Sequence, residues 1–115
     1  SMVYESLEAA KILDTLGVSA KVVNMHTLKP CDYDSIDQAI SSSKAIISVE
    51  EHSIVGGLGS TIAEYKTKFS KSPAQLILGL PDKFGKTAEY RFLLEKYRLV
   101  GEKIAIDIQN FLKTL

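Results

Sequence analysis

The chain has 115 residues, 45% of them hydrophobic, and a formal net charge of zero. That is enough for one domain with a real hydrophobic core, and nothing in the charge marks a nucleic-acid surface, an acidic tail or a basic membrane patch. A single cysteine, Cys31, excludes an intrachain disulfide framework and points to a reducing, cytoplasmic setting.

Residues 3–16 read as a helix, with Val3, Leu7 and Ala10 on one stripe and Ala9, Ile12, Leu13 and Leu16 widening it. Gly17 stops it. The short β-branched run "AKVVNM" (20–25) reads as a strand. In the loop "HTLKPCDYD", Pro30 discourages helix at Lys29, and Asp32 or Asp34 can cap a short helix over about 35–41, with Ile36 and Ile40 inward. "KAIISVE" (44–50) and "AQLILGL" (74–80) are continuous apolar runs, the pattern of strands covered on both faces. Between them Leu58, Ile62, Tyr65 and Phe69 mark one helix face. Pro81 ends the second run, and a turn with Gly85 leads to Thr87 as an N-cap. A helix carrying Tyr90, Leu93, Leu94 and Tyr97 follows. Gly101 separates it from a last helix, with Ile104, Ile108, Phe111, Leu112 and Leu115 on one face.

Strands alternating with helices imply a three-layer α/β/α domain with a mostly parallel sheet. The chain opens on a helix and shows three strands, so a first strand is expected before Val3, outside this sequence. No apolar run approaches the roughly 20 residues that span a bilayer, and no signal-peptide pattern is present.

Ligands of open parallel sheets gather at the carboxyl ends of the strands. Those ends carry His26, then Glu50, Glu51 and His52, then Asp82. Without His-x-x-x-His or Cys-x-x-Cys spacing they make a poor metal set. Gly56, Gly57 and Gly59 open a helix whose free N–H groups could bind an anion. Their G-G-x-G spacing matches neither the dinucleotide fingerprint nor the Walker loop, and "FGKT" (84–87) lacks the earlier glycine. Tight turning and close helix–sheet packing is the simpler explanation. A hydrolase built on His52 and Glu51 lacks a partnered nucleophile, and Cys31 beside Asp32 is a poor thiolate.

"VVNMHTLKPCD", then "AIISVEEHSIVGGLGSTIAE", "LILGLPDKFGKTAEYRFLLEKYRL" and "IAIDIQNFL" occur in the order seen in the C-terminal domain of transketolase-like, thiamine-diphosphate-dependent enzymes. The resemblance covers nearly all of residues 1–115 and rests on Lys29-Pro30-x-Asp32 and on the series Glu50, Glu51, His52, Gly56, Gly57, Gly59. Relatives sharing the domain include 1-deoxyxylulose-5-phosphate synthase and the E1 β subunit of 2-oxo-acid dehydrogenases; the "NMHTLKP" wording and His52 sit closer to transketolase. The family pattern usually has a glycine in the turn before the late helix and another at its end; here Ala88 and Arg98 stand near those places.

The resemblance implies one domain of a longer polypeptide, lacking its first strand. The parent would pass a two-carbon ketol unit between sugar phosphates, as in pentose phosphate chemistry. Thiamine diphosphate and Mg²⁺ would be held by other domains across a dimer interface. The family's Gly-Asp-Gly and paired-asparagine motifs do not occur in this chain. The resemblance therefore implies no catalytic, cofactor-binding or metal-binding residue here. It implies packing and dimer contacts, with other transketolase domains or subunits as partners in a homodimer or split-subunit assembly. Glu51, His52, Gly56, Gly57 and Gly59 are the candidates for an interdomain or anion contact. The rival reading is a free-standing α/β module that binds a phosphate or nucleotide at Gly56–Gly59.

Overall fold

Helix α1 spans Met2–Thr15, followed by α2 (Tyr33–Ser42), β1 (Ala45–Ser53), α3 (Leu58–Lys66), β2 (Ala74–Leu80), α4 (Tyr90–Lys96) and α5 (Gly101–Leu112). The computed structural model describes residues 2–25, 32–53, 57–80 and 90–115, with the side chains of His52, Ser53 and Tyr90 outside that description. The expectations for His26, Lys29, Pro30, Cys31, Gly56, Pro81, Asp82, Gly85, Thr87 and Ala88 fall outside the described residues.

The two continuous apolar runs pair in parallel, with Ala45 opposite Ala74 and Val49 opposite Leu78. A parallel pair needs a crossover connection, and α3 supplies it. Side chains alternate across a strand, and that alternation sorts the layers. Ile47, Val49, Leu76 and Leu78 pack against Ala9, Leu13, Ile104 and Ile108 of α1 and α5. On the other face Ile46 joins Ile36 of α2 and Ile62 of α3. A third cluster, Met2, Leu80, Leu94, Leu99 and Val100, closes the core beside the carboxyl end of β2. Leu99 and Ile104 are 0% exposed, and each such burial contributes roughly 1.5–3 kcal/mol. The result is the expected three-layer α/β/α arrangement around a parallel sheet.

Four details depart from the sequence reading. Residues 20–25 form no strand; among the described residues the sheet has two strands, β1 and β2. The run has the composition of a strand, but a strand exists only when its backbone groups find a ladder. Here a recess separates it from β1. The inward stripe of α1 is Met2, Glu5, Ala9 and Leu13, whereas Leu7 and Leu16 are 46% and 50% exposed. Gly101 does not separate two helices but is the first residue of α5, after Val100 as N-cap. Leu115 follows the end of α5 and is exposed.

Both helix stops in the α1 and α4 regions use the same device. Val18 N–H donates to the Leu13 carbonyl (2.9 Å) and Gly17 N–H to that of Asp14 (3.1 Å), with Gly17 at φ +80°. This is the Schellman closure, for which glycine carries no Cβ penalty. After α4 the matching bond runs from Leu99 N–H to the Leu94 carbonyl (2.7 Å). The left-handed position there is Arg98, at φ +63°.

Candidate functional site

The strand-to-helix turn between β1 and α3 is the place where strand ends, acids and glycines converge. Glu50 points to the α3 side of the sheet and is buried. Its carboxylate accepts from Leu58 N–H at 2.5 Å and from Gly59 N–H at 3.0 Å. These are two of the orphan donors that open any helix, and the negative charge also suits the positive end of the helix dipole. Gly57 is the N-cap and has no side chain to do this work; Glu50 reaches across from the strand instead. The amides that could cradle an anion are thereby already bonded, so a phosphate would have to displace a buried carboxylate.

Below the turn, α3 lies against the sheet at contact distance. A Cβ added to Gly59 would stand 2.7 Å from Ile77 Cγ2 and 2.7 Å from Ser48 Oγ. Gln75 Nε2 donates to the Gly59 carbonyl at 2.8 Å. Gly57 and Gly59 therefore serve the turn and the close packing that the sequence reading favoured. Glu51 is half-buried on the other face of β1, His52 occupies β1 with its side chain outside the described part, and Gly56 lies outside it altogether. The structure thus brings Glu50, Gly57 and Gly59 together. Glu50 was legible only as one of several strand-end acids. Its capping role depends on the turn returning α3 over β1, which no sequence spacing prescribes.

The helix-start amides bond Glu50, and no group of three or more His, Cys, Asp or Glu among the described residues could hold a metal ion. No step of a cofactor reaction is assigned to this chain.

Two further polar features were not legible. Glu5, buried in α1, accepts from the Gly101 N–H at 2.8 Å and from Arg91 Nη1 at 3.1 Å, tying α1 to α4 and α5. On the other face, Tyr65 donates its hydroxyl to Asp37 at 2.6 Å. That bond to a carboxylate pushes the phenol up to about 12. Tyr65 also stacks between Tyr33 and Phe69, with ring centroids 4.6 and 5.5 Å away.

These observations define a three-layer α/β domain whose ligand-prone strand-to-helix turn is closed by its own side chain. The family model for the transketolase C-terminal domain matches residues 1–104, and the chain belongs to that family. It is 42% identical over 113 residues to 1-deoxy-D-xylulose-5-phosphate synthase of Dictyoglomus thermophilum, covering 98% of this chain and 18% of the relative. It is 39% identical over 111 residues to a putative transketolase C-terminal section of Methanocaldococcus jannaschii, covering 96% of this chain and 34% of the relative. A solved chain described as a split gene transketolase, inactive beta4 tetramer, superposes with a TM-score of 0.84 at 37% identity, covering 95% of this chain and 35% of its own length. The chain therefore spans roughly a fifth to a third of these relatives. The synthase and the transketolase section share this domain at nearly equal identity.

Proposed function

We propose that this chain is the non-catalytic C-terminal domain of a transketolase-type enzyme, contributing packing and subunit contacts to an active site held by other domains. The parent reaction is transfer of a two-carbon ketol unit between sugar phosphates in the cytoplasm. Thiamine diphosphate and Mg²⁺ supply that chemistry from the other domains. The partners are those domains, fused or as a separate subunit, in a dimer-based assembly. The observation that carries this reading is Glu50 on the Leu58 and Gly59 amides, which makes the family's glycine segment a structural turn in this domain. Glu51 and His52, at the end of β1, are the residues we assign to contact with a neighbouring domain.

The test is turnover and thermal shift of the isolated chain with thiamine diphosphate and Mg²⁺. Neither activity nor a shift is expected, and ketol transfer appears only when the remaining domains are added. Clear turnover by this chain alone would overturn the proposal. Titration with inorganic phosphate, followed by amide NMR, separates the rival module. The proposal expects no saturable shifts at Gly57, Leu58 and Gly59, whereas shifts confined to them would favour a phosphate-binding domain.

A further inference from the structure

Helices α2 and α3 carry an aromatic patch that the core absorbs only in part. Tyr33 opens α2 and is 45% exposed; Phe69, just past the end of α3, is 38% exposed. Tyr65 of α3 lies between them, its ring centroid 4.6 Å from that of Tyr33 and 5.5 Å from that of Phe69. Tyr65 also packs on the Ile36, Ile46 and Ile62 cluster, which anchors the patch to the sheet. Apolar side chains exposed singly are ordinary, whereas a contiguous group of them marks a contact site. Aromatic residues are also the ones that protein interfaces enrich.

Exposed aromatic faces take apolar side chains, nucleobases or cations, and the charges around this patch choose among them. Asp34 and Asp37 are exposed and close enough to Tyr65 to act on its phenol. Asp37 accepts the Tyr65 hydroxyl through Oδ1 at 2.6 Å, which fixes that carboxylate beside the rings. Tyr33 and Asp37 are four positions apart on α2, and Asp34 and Asp37 three apart, so one ring and both carboxylates share a helix side. Two carboxylates repel a phosphate, which disfavours a nucleotide or a nucleic acid. They attract a cation, and the patch already holds one: Lys68 Nζ lies 5.3 Å from the Tyr65 ring centroid. A planar guanidinium stacks on a ring and aims paired N–H groups at a carboxylate, whereas an ammonium acts there only as a point charge.

We propose that the face formed by Tyr33, Tyr65 and Phe69 docks a protein partner through an arginine side chain, stacked on Tyr33 and paired with Asp34 or Asp37. Aromatic and arginine anchors of this kind carry much of the energy of protein contacts. A second copy of this chain is a poor source of the arginine. Arg91 is held by Glu5 and Glu95, and Arg98 by Asp107. The partner is therefore a different polypeptide surface. The inference adds a contact face on α2 and α3 to the one assigned to Glu51 and His52, and it holds whatever reaction the parent carries out.

The experiment titrates the chain with two end-blocked tripeptides, Gly-Arg-Gly and Gly-Lys-Gly, and with adenosine monophosphate, following amide and aromatic resonances by NMR. The arginine peptide is expected to give saturable shifts centred on Tyr33, Asp34, Asp37 and Tyr65, with an affinity about fivefold or more above that of the lysine peptide. Two variants keep the assignment open to failure. Asp34→Asn with Asp37→Asn removes the charge and keeps both the shape and an acceptor for Tyr65. Tyr33→Leu removes the ring at an exposed position. Each should leave the rest of the amide spectrum in place and weaken the arginine peptide about fivefold. An equal response to the two tripeptides, tighter binding of the nucleotide, or no shift at all would overturn the proposal. So would shifts centred instead on the acidic groove of Glu8, Glu95 and Glu102, or an arginine response that neither variant changes.

Discussion

At Gly59 the sequence and the packing meet in one missing atom. A methyl there would collide with Ile77 and Ser48, both part of the sheet, so α3 would have to lift. Overpacking of this kind costs about 2 kcal/mol, and Gly59→Ala should lower the urea midpoint accordingly. Arg98 presents the opposite case. It holds a left-handed conformation, φ +63°, that penalises a non-glycine residue by about 1 kcal/mol. What it gains is a two-pronged bond to Asp107, Nε to Oδ1 at 3.1 Å and to Oδ2 at 3.0 Å. That bond raises the Arg98 pKa above its ordinary value. The pair is half in solvent, where such bridges contribute little. Arg98→Gly is therefore expected to raise stability by about 1 kcal/mol in denaturant unfolding. The glycine cluster was readable as a packing device because few roles need G-G-x-G. The family pattern has a glycine near position 98, and the φ angle of Arg98 gives the reason.

At the scale of elements, the turn from β1 into α3 depends on one carboxylate. Glu50→Ala leaves the Leu58 and Gly59 amides without their acceptor. Bonds to a charged group contribute about 1.5–3 kcal/mol each, partly regained by water at the Leu58 end; the expected loss is about 3 kcal/mol. Helix α2 is capped locally instead. Asp32 accepts from Ser35 N–H at 3.1 Å and Ser35 Oγ–H at 2.7 Å. The Ser35 hydroxyl first, and then its amide, hold the Asp32 carboxyl below its usual 3.8. A depressed carboxylate stabilises the fold above its unfolded pKa and ceases to as pH falls through the folded one. Asp32→Ala should therefore lower Tm at neutral pH, and the gap from the parent chain should close below pH 3.8. Elements whose reasons are local were legible: both apolar strands, an aspartate cap for α2, offered by Asp32 or Asp34 and made by Asp32, and the Gly17 stop. Residues 20–25 were misread because their strand character is real but a ladder is a property of two segments, and composition reports only one.

At the scale of the whole domain, contacts between segments far apart in sequence hold the layers together. Glu5 reaches Gly101, 96 positions away, and Arg91, 86 positions away. Glu5→Ala strands the buried Gly101 amide at the start of α5 and should cost about 2–3 kcal/mol. Arg91→Ala, removing a largely exposed partner, should cost less than about 1 kcal/mol. Parallel urea unfolding curves check the contrast. Nothing in the sequence marked Glu5 as buried, because its partners lie at the far end of the chain; the helix stripe alone was readable, and its phase was set by α5. The α1–α5 contact also has a consequence for biosynthesis. Ala9 and Leu13 are covered by Ile104, Ala105 and Ile108, so α1 waits for α5, which is translated after the sheet. While the ribosome is still translating the sheet, the apolar side of α1 has no permanent cover. Closing so long a loop late slows folding and leaves the nascent chain open to aggregation. For this domain, the vulnerable interval ends only when α5 has cleared the exit tunnel.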